Sequence, residues 1–122
     1  NQALPVCAML DVGRGELARA VYVSDESGWA KVKEDSILSV QDIIQSTETA
    51  TLFCGEGLIQ IESELKTALN GLAVTTGQDV PTRHPSVLSA LGFAKFIDGA
   101  LSDAYSMEPH YMRRPSITER KR

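Results

Sequence analysis

The stretch over residues 6–24 constrains the fold of this chain more than any other. Two runs rich in β-forming residues, Val6–Leu10 and Leu17–Val23, flank a polar turn that contains Gly13 and Gly15. The first run is almost entirely apolar, as in a strand buried on both faces, and the second alternates loosely, as in a half-buried strand. Glycine supplies the positive φ that a tight hairpin needs and leaves room for a ligand near the backbone. The stretch therefore predicts a β-hairpin that opens a sheet.

The rest of the chain continues with a third strand and then alternates between helix and strand patterns. The predicted elements are a strand over Trp29–Leu38, a short helix over Val40–Ser46 capped by Ser39, a strand over Thr49–Cys54, a helix from Leu58 to Leu69, a strand over Leu72–Thr76 and a helix over Pro85–Ile97. Three antiparallel strands followed by right-handed βαβ crossovers give a mixed sheet with helices on its faces. We therefore expect an α/β domain with a five-stranded, ribonuclease-H-like sheet in the order 3-2-1-4-5.

Helical periodicity in the two longer helices predicts which side chains are buried. The predicted buried stripe of the first is Leu58, Ile61, Leu65, Ala68 and Leu69, and that of the second is Val87, Ala90, Leu91, Ala94 and Ile97. Asn70 and Gly71 are expected to end the first of these helices. Both helices are therefore expected to pack on the sheet.

Composition and charge narrow the class of protein. A chain of 122 residues with 43% hydrophobic residues is typical of one globular domain. The net charge is −4, and because residues 113–122 carry +4, residues 1–112 carry −8. An acidic body argues against a large nucleic-acid-binding face, and the basic end is more typical of a solvated tail. We therefore expect one domain over residues 1–112 and a basic tail over residues 113–122.

Several kinds of site and location are disfavoured by the residue pattern. Cys7 and Cys54 lie in predicted buried strands and match neither a disulfide framework nor a zinc motif. His84 and His110 are not spaced as metal ligands on one element. No apolar run approaches the roughly 18 residues of a membrane span. The expectations are a cytoplasmic protein with no catalytic residue and no metal site identified from spacing.

Two glycine turns are candidate phosphate-binding elements. An Asp that follows a buried strand and precedes glycines can hold Mg²⁺ through water and admit phosphate to the backbone. A glycine turn before a helix exposes N–H groups and the positive end of the helix dipole. Each turn alone is equally typical of an ordinary connection, but the two preceding strands would be neighbours, so both turns would lie at one edge of the sheet. The candidate nucleotide-binding residues are Asp11, Gly13, Arg14, Gly55, Glu56 and Gly57.

Short motifs, taken in order, resemble a known family. Residues 8–16 resemble the second phosphate-binding turn of the actin-like ATPase superfamily, and residues 52–57 resemble its adenosine-binding turn. Leu10-Asp11, Arg14-Gly15-Glu16, the Gly55-x-Gly57 turn and the ending Pro109-His110-Tyr111-Met112-Arg113 together resemble the C-terminal half of the TsaB (YeaZ) family. This resemblance covers nearly the whole chain.

The resemblance implies a role in making threonylcarbamoyladenosine in bacterial tRNA. TsaB proteins are similar in fold to the transferase TsaD, which they scaffold together with the ATPase TsaE, and they are not thought to perform the transfer. The family has two ribonuclease-H-like domains with a cleft between them. This chain would be the second, since it begins without Met and enters a core strand within five residues.

The resemblance also implies where partners and cofactors would bind. Contacts with TsaD, or a homodimer, would be made mostly through the first domain, and tRNA would be reached only through the complex. No cofactor is expected to bind this chain tightly, with ATP or ADP and Mg²⁺ confined to the interface with the other domain or a partner. No membrane association is implied.

Departures from the family pattern bear on the nucleotide site. Relatives often have Ala and Arg before the Gly-Glu pair, and Asp is common where Glu56 stands. Arg14 places a bulky cation where a working ATPase turn keeps glycine, which favours a degraded site. One alternative is an ATP-dependent phosphotransferase or ATPase that keeps Asp11 and Gly55–Gly57 as ligands. Another is a peptidase, since the superfamily was long labelled glycoprotease, but the paired-histidine metal motif is missing from the sequence.

Overall fold

Five strands form one mixed sheet, and three helices complete the fold. The computed structural model describes residues 3–75 and 83–113. The elements are β1 (Val6–Asp11), β2 (Glu16–Asp25), β3 (Gly28–Ser39), α1 (Val40–Gln45), β4 (Thr51–Cys54), α2 (Leu58–Leu69), β5 (Ala73–Thr75) and α3 (Pro85–Ile97). Each predicted strand and helix is present, with ends that differ by a few residues. Thr76, the predicted end of β5, lies outside the described residues.

The strand order is β3-β2-β1-β4-β5, which confirms the predicted topology. The first three strands pair antiparallel through consecutive hairpins, while β4 pairs parallel to β1 and β5 parallel to β4. Parallel neighbours need a crossover, and α1 and α2 provide those connections. The sheet is therefore the mixed, ribonuclease-H-like layer that the order of elements predicts.

The hydrophobic core lies between one face of the sheet and the helices α1 and α2. Met9 and Phe53 from the sheet are fully buried there, together with Ile43 of α1 and Leu65 of α2. Full burial of such a side chain stabilises a fold by roughly 1.5–3 kcal/mol. These contacts fix α2 on the sheet, and with it the glycine turn that precedes the helix.

Helix α2 has the predicted bounds, and α1 ends at Gln45, one residue before its predicted end. Ser39 caps α1 in a capping box, in which its hydroxyl accepts a hydrogen bond from the N–H of Asp42. The predicted stripe of α2 is confirmed at four positions, and Ala68 is exposed. Asn70 ends the helix with φ of +40°. Local sequence signals therefore suffice for both helices.

Helix α3 has the predicted bounds, but its predicted buried stripe is wrong. Every residue from 83 to 113 is exposed, including Val87, Leu91 and Ile97 of that stripe. Periodicity shows which side of a helix is apolar, but burial also needs a surface to pack against, and none of the described residues provides one. Helix α3 therefore projects from the sheet rather than covering it.

Over residues 3–75 and 83–113, no helix has both the length and the apolar character needed to cross a membrane.

Candidate functional site

The two glycine turns lie side by side at one edge of the sheet. The N–H of Gly57 donates a hydrogen bond to the carbonyl oxygen of Met9, at 3.1 Å. A Cβ atom at Gly55, where φ is +99°, would overlap that same carbonyl, and one at Gly57 would lie 2.7 Å from Cδ2 of Leu17. Only glycine allows such a close approach of two backbones. The predicted juxtaposition of the turns is confirmed.

The hairpin turn between β1 and β2 is tight and left-handed. The N–H of Glu16 donates to the carbonyl of Gly13 at 3.2 Å, and the two residues between them have positive φ, +62° for Arg14 and +72° for Gly15. Two positive φ values match the twist of a hairpin. Glycine adopts them freely, whereas a residue with a Cβ pays roughly 1–2 kcal/mol. Arg14 therefore occupies a strained position at the tip of the turn.

Both oxygens of the Asp11 carboxylate are engaged inside the site. Oδ1 accepts a hydrogen bond from the N–H of Gly13 at 2.7 Å, which closes the turn on itself. Oδ2 accepts from the side-chain amide of Gln60 at 3.4 Å, which links β1 to the first turn of α2. Asp11 thus helps to hold the hairpin turn against the helix.

A cavity of about 240 Å³ lies between the hairpin turn and the start of α2. Its lining residues are Asp11, Gly13, Arg14, Gly15, Glu16, Leu17, Val40, Gly57, Gln60 and Ile61. Among the described residues, no side chain caps the first turn of α2. The N–H groups of Gly57 and Leu58 donate to the carbonyls of Met9 and Gly55, so only the later N–H groups of that turn are open to an anionic ligand. The volume is below the roughly 300–1,000 Å³ of typical small-molecule sites.

Four of the six predicted site residues line this cavity, and two do not. Gly55 packs its backbone against β1, as described above. The carboxylate of Glu56 pairs with Arg83, with Oε1 3.0 Å from Nε and Oε2 3.1 Å from Nη2. Since this pair is bidentate, Glu56 is directed to the segment before α3 and not to the cavity.

A second arginine, Arg113, binds the hairpin turn. The guanidinium of Arg113, the first residue of the predicted tail, forms an ion pair with the carboxylate of Glu16. Residues 114–122 lie outside the described residues. Neither Arg83 nor Arg113 was singled out by spacing, because both partners are far away in sequence. The one available signal was the position of Arg113 at the end of the P-x-Y-x-R motif.

The two cysteines lie on opposite faces of the sheet. Cys7 pairs with Phe53 and Ala8 with Cys54, so the thiols of adjacent strands point in opposite directions and do not face each other. Burial raises the pKa of Cys7 to about 11, with the nearby charge of Arg19 opposing the shift. Burial also raises the pKa of Cys54. Neither thiol has the lowered pKa of a nucleophile.

Within residues 3–75 and 83–113, no three His, Cys, Asp or Glu side chains converge as metal ligands. The site is therefore made of backbone N–H groups, two carboxylates and the Arg14 guanidinium. The N–H groups and the guanidinium can bind an anion, whereas the two carboxylates repel one, and the set contains no pair of side chains arranged for nucleophilic attack.

A comparison with solved structures shows which fold this architecture resembles. The chain superposes with a TM-score of 0.60 on the crystal structure of an uncharacterized protein from Pseudomonas aeruginosa described as similar to peptidase YeaZ. The fold is YeaZ-like. Sequence identity to that structure is 18%, and the match covers 91% of this chain.

The YeaZ-like match covers 50% of the other protein, so this chain spans about half its length. No protein-family model matches the sequence, and no curated protein matches it. The comparison therefore supports the fold, and the activity is a matter for proposal.

Proposed function

We propose that this protein is a TsaB-type, non-catalytic subunit of the complex that makes threonylcarbamoyladenosine in tRNA, supporting the transferase TsaD together with the ATPase TsaE. Three features support the proposal: the motifs that occur in the family's order, the YeaZ-like fold, and the contacts that occupy the polar groups of the hairpin turn. In this role residues 3–75 would form the body of the second of two domains, and contacts with TsaD would come mainly from the first.

The main observation behind the proposal is that polar groups of the hairpin turn are already bound to other residues of the protein. In a working phosphate-binding turn, backbone N–H groups must be free to approach the phosphate. Here Arg14 stands at the tip of the turn, and the N–H of Gly13 donates to Asp11. The Glu16 carboxylate is paired with Arg113. These contacts stabilise the turn as a structural element, which suits a subunit that shapes a complex better than one that turns over ATP.

Reconstitution of tRNA modification tests this role. Purified TsaD, TsaE, tRNA and threonylcarbamoyl adenylate are combined with and without this protein, and transfer to tRNA is measured. We expect transfer to depend on the protein and to persist with Asp11→Asn. Asp25→Asn, at an exposed Asp that ends β2, is the matched control. Equal transfer when the protein is omitted would refute the proposal.

A second candidate function, nucleotide binding as an ATPase or phosphotransferase, rests on one observation. The Asp11 carboxylate and the uncapped first turn of α2 face the same cavity, as a Mg²⁺-nucleotide site requires. Isothermal titration of the protein alone with ATP, with and without Mg²⁺, tests it. Tight Mg²⁺-dependent binding that Asp11→Asn abolishes and Asp25→Asn preserves would favour this function over the scaffold role.

A further inference from the structure

A second cavity, of about 200 Å³, lies at the end of the sheet where β1 begins, away from the glycine turns. The first three strands and the segment that joins α1 to β4 form its walls. Two cationic side chains line it, Arg19 of β2 and Lys33 of β3. It shares no lining residue with the cavity beside the glycine turns. The two cavities are therefore separate sites.

Both cations of this second cavity bind Ser46, the residue that caps the end of α1. Nη1 of Arg19 donates to the Ser46 hydroxyl at 2.7 Å, and Nζ of Lys33 donates to the Ser46 carbonyl at 3.2 Å. Cations are favourable there because the end of a helix carries partial negative charge. A partial charge does not neutralise two full ones. Within the described residues, neither cation forms an ion pair with a carboxylate.

One hydrogen-bond donor of Arg19 is buried and unpaired. Its Nε is shielded from water and has no hydrogen-bond partner among the described residues. Such a donor is costly to leave unsatisfied, and more so on a charged group. Since Nη1 is bonded to Ser46, the other edge of the guanidinium is formed by Nε and Nη2. That edge can donate two parallel hydrogen bonds to the oxygens of one carboxylate, which would also neutralise the charge.

The charges around the cavity would be balanced by a single negative charge. Besides the two cations, the carboxylate of Glu48 lines the cavity, so the sum is +1. The two cations also act on Cys7 at the cavity wall. Burial raises the pKa of this thiol to about 11, and Arg19 and Lys33 both oppose the rise. A singly charged ligand would therefore neutralise the cavity, whereas a doubly charged phosphate would leave excess negative charge.

The other walls of the cavity are largely apolar. Pro5, Val21, Val23 and Val32 line it beside the two cations. Its volume is below the roughly 300–1,000 Å³ of typical small-molecule sites, so a ligand enclosed there must be short. Apolar walls favour a ligand with a hydrocarbon body, because burying each methylene strengthens binding. An inorganic anion would gain nothing from these walls.

We propose that this cavity binds a short aliphatic carboxylate. The carboxylate group pairs with Arg19 and Lys33, and the hydrocarbon chain lies on Val21 and Val23. Such a ligand satisfies Nε of Arg19, balances the charge and covers the apolar walls. The site is independent of the tRNA role, because it contains no residue of the glycine turns.

An NMR titration with sodium butyrate tests the site, with the ionic strength held constant by sodium chloride. We expect saturable shifts of the backbone amides of residues 19–21 and 46–49. Formate should bind more weakly than butyrate, by about threefold for each methylene that the cavity buries. Inorganic phosphate should also bind more weakly than butyrate, since it has no hydrocarbon body.

Charge variants test the contacts of the carboxylate group. Arg19→Met should weaken butyrate binding by roughly tenfold or more, and Lys33→Met by about fivefold. Because Lys33 is exposed, its variant keeps the fold even where Arg19→Met does not. Glu48→Gln should tighten binding, since it removes a negative charge from the cavity. The matched control is Lys31→Met, at a lysine of the same strand that pairs with Asp35 and does not line the cavity. It should leave the affinity unchanged.

Three results overturn the proposal. The first is an absence of saturable binding, which would mean that another part of the protein already neutralises the two cations. The second is butyrate binding that Lys33→Met leaves unchanged. The third is phosphate binding as tight as that of butyrate, which would show that the apolar walls contribute nothing.

Discussion

Arg113 and Glu16, which stand 97 residues apart in the sequence, form an ion pair at the tip of the first hairpin. This contact brings the end of the P-x-Y-x-R motif onto the Arg14-Gly15-Glu16 motif. Together with the Arg83–Glu56 pair, it attaches both ends of residues 83–113 to the two glycine turns. The two turns therefore anchor this segment and also contribute residues to the cavity.

Arg113→Ala should loosen the segment after α3 without unfolding residues 3–75. The side chains of Arg113 and Glu16 are 38% and 41% exposed, and exposed pairs stabilise a fold by about 0–1 kcal/mol. We expect a change of that size in the free energy of unfolding, and faster hydrogen exchange over residues 98–113. Lys66→Ala, which removes the similarly exposed pair with Glu62, is the control and should leave that exchange unchanged. Unaltered exchange in Arg113→Ala would mean that the pair does not anchor residues 98–113.

Gly55→Ala should destabilise the protein far more than Gly13→Ala. A Cβ at Gly55 would overlap backbone atoms of Met9, which have no freedom to move aside, so we expect a loss of roughly 3 kcal/mol or more. A Cβ at Gly13 would meet nothing, and only its φ of +77° carries a penalty of about 1–2 kcal/mol. Urea denaturation monitored by circular dichroism measures both. Equal losses would contradict the close approach of the two turns.

Stability should fall in alkaline solution because of Cys7. Burial raises the pKa of this thiol to about 11 from its ordinary value of 9.0. Between these two values the folded state binds more protons than the unfolded state, so the free energy of unfolding decreases as pH rises through this range. Cys7→Ala should remove this part of the pH dependence in denaturation measured from pH 8 to about pH 10. The same slope in the variant would show that another group is responsible.

Leu65 and Leu91 differ in burial, so replacing each by alanine should change the free energy of unfolding by different amounts. Leu65→Ala empties a fully buried site under the sheet and should cost about 2–5 kcal/mol. Leu91→Ala removes a side chain that is 60% exposed in α3 and should change stability by less than about 0.5 kcal/mol. A loss at Leu91 as large as that at Leu65 would show that α3 packs on the sheet after all.

Helices α2 and α3 show that side-chain periodicity predicts where a helix lies better than it predicts which residues are buried. Both helices were predicted with the bounds that the structure shows, since apolar spacing, Asn70 at one end and Pro85 at one start are local signals. Burial was predicted correctly only for α2. A stripe of apolar residues indicates that burying that side of a helix would be favourable. Whether it is buried depends on parts of the molecule that are far away in sequence.

In the candidate site, too, some features could be predicted from the sequence and others could not. The turns at Gly13 and Gly55 were predicted as neighbours from strand order, because strands that pair bring their ends to one edge. The direction of the Glu56 side chain was not predictable, since it is set by Arg83, 27 residues later. The proposed nucleotide role of these residues stays a prediction.

The sequence by itself determined the order of elements, the order of strands in the sheet, the need for glycine at both turns and the buried side of α2. Most of these properties arise from side-chain periodicity and backbone sterics, which can be evaluated within a few neighbouring residues. The strand order follows in addition from the right-handedness of crossovers between parallel strands. Only the tertiary structure decided that α3 lies exposed and that arginines on either side of it bind the glycine turns. Such contacts depend on distances between residues that are remote in sequence, and those distances exist only once the chain has folded.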